Sequence, residues 1–382
     1  MQLLSIPLVV AVAVGVYLYP LGAVWAALGV LAYALVLWRY PQVWLPAVLA
    51  LLPLLNLASW TGWILLDEVD FLIAVTLAAR LLQPLPDSGS VRLSIGTKWA
   101  IGLLIISFLC SALLGLFPVS PFDYNALNGY HSSFNSLRVL KGFAWALALL
   151  PLLVEEIKHG VAAEQRFVVG MLAGLSGVVA VALWERAVFP GLLDFATQYR
   201  ITSTSPEMHS GGGYVETYLA AAIPFAVLWI LLKPGFARIV VGTMLFTCAS
   251  YALAVTFARA GYLAYAGSLL VLGLALFIHW KRHRVWTPRH VVVTLIVFGT
   301  ALAAVVPVLT ASYMQSRLAV MGPDLAIRTG HWAEAAGMID DDWHSRLFGM
   351  GLGSFPRIYL RNNPHGVPPA TYAYLHEEGN LF

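Results

Sequence analysis

Apolar residues run along this chain in blocks of roughly 17 to 25, the length a helix needs to cross a bilayer. Polar residues fall in the gaps between them. The blocks centre near residues 11, 30, 50, 75, 108, 147, 176, 223, 248, 270 and 301, which predicts about eleven spanning helices. The fourth block is the weakest. There Asp67, Glu68 and Asp70 precede a short apolar run, FLIAVTLAARLL, and the acids are expected at the membrane interface. No internal repeat is visible.

Composition agrees with the pattern. Of 382 residues, 60% are hydrophobic and 11% charged, with a mean hydropathy of +0.79. Soluble domains run near half apolar and a quarter charged, so the expected fold class is an all-α polytopic membrane protein. Cys110 and Cys248 both lie inside apolar runs and suggest neither a disulfide framework nor a metal site. The first block opens MQLLSIPLVV without a basic stretch before it, so a cleaved signal peptide is not expected.

The net charge of +3 says little, because the placement of charge matters more than its sum. Cytoplasmic loops carry an excess of Lys and Arg. With the N-terminus inside, the inner junctions hold Arg39, Arg92, Lys98, Lys158, Arg166, Lys233, Arg238 and the cluster Lys281, Arg282, Arg284 and Arg289. Flipping the chain would put almost every lysine outside. Three sizeable loops then face outward: Phe117 to Leu137, Ala187 to Gly213, and everything after about Ser312. The expected division is a transmembrane domain over 1–311 and an external loop region with short helices over 312–382. The chain closes on HEEGNLF, where a twelfth helix would begin if the C-terminus is truncated.

The outer basic residues are Arg138, Lys141, Arg186, Arg200, Arg259, Arg317, Arg328, Arg346, Arg357 and Arg361, and all but one are arginine. A guanidinium fork grips phosphate oxygens in pairs, whereas lysine offers a point charge. An outer face short of lysine and dotted with arginine suggests an anionic ligand, a phosphate or diphosphate. The plainer reading pairs each one with Asp, Glu or a lipid headgroup. Arg259 is the sharpest individual. It stands in TFARAGYLA, at the outer boundary between two apolar helices, where an ionisable group is costly and a functional candidate; the alternative is snorkelling to the headgroups.

The late stretch IRTGHWAEAAGMIDDDWHSRLFGMGLGSF concentrates polar residues. Arg328 and Trp332 are four apart and share a helix face. FGMGLGSF places three glycines at alternate positions, which lets backbone turn or approach a ligand closely. It is not a dinucleotide fingerprint, because no strand precedes it. HEEGN lacks the second histidine of a zinc-protease motif, and no metal site is expected. Asp340, Asp341 and Asp342 could hold a divalent cation, but a solvated acidic turn accounts for them more simply. His376 stands beside Glu377 and Glu378, which favour its protonated form. It is a candidate general base or hydrogen-bond donor, with His331, His344 and His365 as rivals.

TFARAGYLA at a helix start, followed by an external R-x3-W, LFGMGLGSF and HEEGN, resembles the O-antigen ligase superfamily, in motif detail over about residues 250 to 382. That group includes O-antigen ligases, O-antigen polymerases and protein O-oligosaccharyltransferases. The resemblance implies about a dozen transmembrane helices with one large periplasmic loop, in the bacterial inner membrane. It implies metal-independent transfer of a glycan from an undecaprenyl-diphosphate carrier to a hydroxyl on a glycan, lipid A core or protein. No cofactor and no nucleic-acid partner follow from it. Arg259 would face the diphosphate and act in catalysis. Arg328 would be a further diphosphate contact, and His376 would activate the acceptor; from the outer arginines, Arg200 and Arg138 are added as candidate diphosphate contacts. Where the family pairs His with Asn, Gly379 precedes Asn380 here. Two other classes compete: a secondary transporter of an anionic solute, and a non-catalytic subunit of a polysaccharide assembly system. A transporter needs charged or broken helices near the midplane, whereas the enzyme needs its arginines gathered at one cleft.

Overall fold

The computed structural model describes residues 5–19, 22–55, 67–83, 94–123, 126–127, 129–158, 160–205, 214–232, 235–283, 288–319 and 321–362. All regular structure among these residues is helical. In chain order the α-helices are α1 Ser5–Tyr17, α2 Ala23–Arg39, α3 Trp44–Leu55, α4 Glu68–Leu82, α5 Ile95–Leu116, α6 Asn135–Ile157, α7 Val161–Val188 and α8 Tyr214–Leu232. There follow α9 Phe236–Ala254, α10 Arg259–His283, α11 Pro288–Thr310, α12 Ser312–Ala319, α13 Met321–Gly337, α14 Trp343–Phe348 and α15 Phe355–Asn362. Six of these, α5, α6, α7, α9, α10 and α11, are long and apolar enough to cross a membrane. Helices α1, α2, α3 and α8 are apolar but shorter, and α4 carries Glu68, Asp70 and Arg80. The chain is therefore a helical membrane protein, with six helices of spanning length among the described residues.

The chain forms two compact units. One comprises 43–58 and 161–322. Its core lies among α7, α8, α9 and α11, where Leu175, Val178, Leu219, Ile223, Ile230, Phe246 and Leu253 are almost wholly buried. Helix α3 lies along α7, and small residues let their backbones approach: a Cβ at Gly170 would stand 2.7 Å from Pro46 Cα, and one at Gly174 2.9 Å from Leu49 O.

The other unit comprises 1–42, 59–160 and 323–382. Val12, Phe71, Ala74 and Val75 join α1 to α4. The acids ahead of α4 do not simply face water. Asp67 caps the helix by accepting from Asp70 N, and Asp70 returns the bond to Asp67 N at 2.8 Å, a capping box. Asp70 is buried and also accepts from Lys141 Nζ at 2.7 Å and Trp145 Nε1 at 2.6 Å. A buried carboxylate is tolerable only when its lone pairs are filled in this way.

The glycine-rich stretch docks backbone to backbone. Gly349, Gly351 and Gly353 all have positive φ, at 73°, 102° and 67°. Leu352 N donates to Ser111 O at 2.8 Å, and Asn135 Nδ2 donates to Gly353 O at 2.7 Å. A Cβ on Gly351 would meet Gly115 N at 2.2 Å. These glycines are thus accounted for by packing on α5 and α6, without a phosphate. Gly351→Ala combines that clash with a left-handed φ, so a loss of about 1–3 kcal/mol or more is expected. The check is a lower thermal midpoint of the purified variant, with faster proteolysis within 343–362.

Candidate functional site

The first unit holds a polar cluster at the end of its apolar core. Helix α7 closes with an acid-base pair, Glu185 and Arg186, both buried, and the chain turns back on itself over 189–205. Arg186 gives its guanidinium to this returning segment, donating from Nη1 to Tyr199 O at 3.3 Å and from Nη2 to Asp194 O. Glu185 takes the segment's donors: Tyr199 Oη at 2.9 Å, Thr202 N at 3.1 Å and Ser203 N at 2.6 Å. Burial, then the bond to Glu185, pushes the Tyr199 hydroxyl up to about 12, so it remains a donor. Phe189 stacks on its ring at 5.6 Å between centroids.

Between these anchors, Arg200 points to the break between α9 and α10. Its Nε donates to Thr256 O at 2.7 Å. The break is tight. Thr256 Oγ1 donates to Leu253 O, and buried Phe257 takes a left-handed φ of 52°. Arg259 follows at once as the first residue of α10, half-buried. Two residues on, Gly261 lies against Glu216 of α8, where a Cβ would stand 2.7 Å from the Glu216 Cβ. Glu216 is buried, and its Oε2 has no hydrogen-bond partner among the described residues. Short helix α12 supplies Tyr313, packed edge-on against Phe257 at 4.8 Å, and Arg317 one turn later.

Together, Glu185, Gln198, Tyr199, Arg200, Thr202, Tyr313 and Arg317 line a cavity of about 490 Å³. The Arg200 pKa is lowered first by burial and then by the charge of Arg317, partly offset by Glu216, Tyr313 and Tyr262. Two cations thus press on one another across a polar hollow. The carboxylate in the wall is already occupied by three donors of the 199–203 segment. Among the described residues, the Arg317 side chain makes no hydrogen bond or ion pair, and its Nε is buried. An anion with several oxygens is the ligand such a pair accommodates.

The expected site residues are distributed as follows. Arg200 lines the cavity, and Arg259 begins α10 three residues beyond the carbonyl that Arg200 holds. Arg138 belongs to α6 in the other unit, where its Nε donates to Asn135 Oδ1 at 2.7 Å and its guanidinium lies 5.0 Å from the Tyr130 ring centroid. The backbone of Arg328 lies in α13, but its side chain, like that of His331, falls outside the described residues, and so do His376 and His365 altogether. Lys141, the lone outer lysine, is bound to Asp67 and Asp70. Arg357 donates to Gly115 O and Phe117 O at the end of α5, and Arg346 pairs with exposed Asp341 at 2.9 Å. Asp342 caps α14, which leaves His344 exposed beside it. Arg317 stood among the outer arginines without being singled out, although its spacing of four from Tyr313 is the same signal as Arg328 with Trp332. Glu185 carried only a faint sign, an acid at the end of an apolar helix.

Comparison of the chain with protein-family models, with curated proteins and with solved structures finds no match.

The acidic turn yields a pH dependence. Its bonds from Ser345 N foremost hold the Asp342 carboxyl below the usual carboxylate range. A depressed folded pKa means the cap contributes fully above the unfolded value, near pH 4, and is lost as pH falls through the lower folded value. Amide exchange at Ser345, corrected for intrinsic rates, should therefore accelerate on acidification, and Asp342→Asn should flatten that response.

Proposed function

We propose that this protein is a membrane glycosyltransferase of the O-antigen ligase or polymerase type, acting on an undecaprenyl-diphosphate-linked donor at the periplasmic face of a bacterial inner membrane. The observation that carries the reading is the meeting of Arg200 and Arg317 on one polar cavity, with no carboxylate paired to Arg317 among the described residues. A lipid-linked diphosphate brings its charge to the membrane surface, where the ends of apolar helices can reach it. The proposed topology has eleven spans, counting the four shorter apolar helices and α4, with the N-terminus cytoplasmic and the break between α9 and α10 outward. Arg259, at that break, joins Arg200 and Arg317 in the same unit as a contact for the diphosphate.

The chemistry follows from charge. An acceptor hydroxyl oxygen attacks the anomeric carbon of the donor sugar while the bond from that carbon to the diphosphate oxygen breaks. The electron pair departs with undecaprenyl diphosphate. The proton passes to a general base. Negative charge grows on the leaving oxygens, and guanidinium groups held in place beforehand stabilise it without reorganising. The acceptor is a glycan, a lipid A core or a protein hydroxyl.

The test is donor consumption by the purified full chain, with an undecaprenyl-diphosphate oligosaccharide and an acceptor. Arg200→Ala and Arg317→Ala should each lower turnover about 100- to 1,000-fold, the usual loss for one such donor. Arg317→Lys should recover only part, because a point charge replaces a fork. Lys281→Ala, at an inner junction, should behave as wild type. Undiminished turnover in both alanine variants would remove the assignment.

A further inference from the structure

We infer that Glu185 is a positioning residue for Arg200, a role that rests on the anion site argued above and acts through the backbone rather than through contact with the ligand. The three donors that Glu185 accepts belong to Tyr199, Thr202 and Ser203, so they bracket Arg200 on both sides within one short stretch of chain. Both carboxylate oxygens take part: Oε1 receives the Tyr199 hydroxyl and Thr202 N, and Oε2 receives Ser203 N. The stretch needs such a hold. Ser203 has a φ of 51°, a backbone conformation that a side-chain-bearing residue keeps only where its surroundings enforce it. Ser203 Oγ donates to Val178 O at 2.8 Å, which ties the same residue to the body of α7.

The geometry also excludes a direct ligand role. Glu185 forms part of the cavity wall, yet a carboxylate aimed at an anion would repel it, and its acceptors are already filled. What it does is fix the segment from which the Arg200 side chain sets out. Arg186 fixes the other side of the same turn through Asp194 O and Tyr199 O. The acid therefore holds the segment's amides while the base holds its carbonyls. Glutamine would hold the segment less firmly than Glu185. With its oxygen toward Ser203 N and Thr202 N, its nitrogen would meet the Tyr199 hydroxyl and reverse that bond. The charge that strengthens all of these bonds would be gone, so the segment would loosen with Arg200 on it.

A double-mutant cycle tests this, read by calorimetric binding of inorganic pyrophosphate to the purified full chain in detergent. Wild type, Glu185→Gln, Arg200→Ala and the double variant are compared, with thermal midpoints measured alongside. Glu185→Gln should weaken pyrophosphate binding about tenfold, and that loss should vanish when Arg200 is already alanine, since contacting residues couple whereas independent ones add. If Glu185→Gln fails to fold, Glu185→Asp, which keeps the anion one methylene shorter, takes its place in the same cycle. Equal loss from the acid substitution with and without Arg200 overturns the positioning role and leaves the anion site standing. No pyrophosphate binding by folded wild type, or binding indifferent to Arg200→Ala, overturns the site and this inference with it.

Discussion

Every helix that crosses hydrocarbon must end, and each end leaves about four amides or four carbonyls without a partner. Where no water reaches them, protein groups must fill those positions. Much of the polar chemistry in this chain is spent there. Asp67 caps α4, Arg357 covers carbonyls at the end of α5, and the Gln83 amide reaches Leu37 O at the end of α2. Beyond α7 the Glu185–Arg186 pair does the same for a whole returning segment.

This expenditure separates one arginine from another. Sequence alone makes the outer arginines look alike. Once the backbone is satisfied, Arg186 and Arg357 are structural, Arg346 is an exposed surface partner, and Lys141 belongs to a buried carboxylate pair. Arg317 is different in kind. It is partly buried, it stands near a second guanidinium, and its neighbouring acid is committed elsewhere. Like charges only partly offset, here by Glu216, cost stability, and natural folds keep such arrangements at sites that bind or react.

The alternation of apolar blocks and polar gaps was legible because a bilayer imposes a length on helices and a sign on loops. That legibility reached the helical class and the position of most helices. It did not reach the capping box that opens α4, since apolar character says where a helix sits and not how its first turn is held. Arg259 at a helix start could be read from TFARAGYLA, because two apolar runs met there without a loop. The partnership of Arg200 with Arg317 could not, because 117 positions separate them in the chain. The glycines of FGMGLGSF announced a close backbone approach, expected to a ligand, and the fold directs it at α5 instead.

The α9–α10 break shows how these constraints combine. Pulling two apolar helices together with almost no loop leaves Phe257 in a left-handed backbone and Thr256 O outside any helix. Arg200 satisfies that carbonyl with Nε, and doing so orients the rest of its guanidinium. Glu216, one helix away, pulls against the charge of Arg317 on Arg200, so the cluster carries both signs unequally. The same bond that repairs a helix terminus therefore aims a cation into the cavity. In a fold with little polar surface inside, a group that must satisfy backbone and can also meet a ligand serves both ends at the cost of one charge.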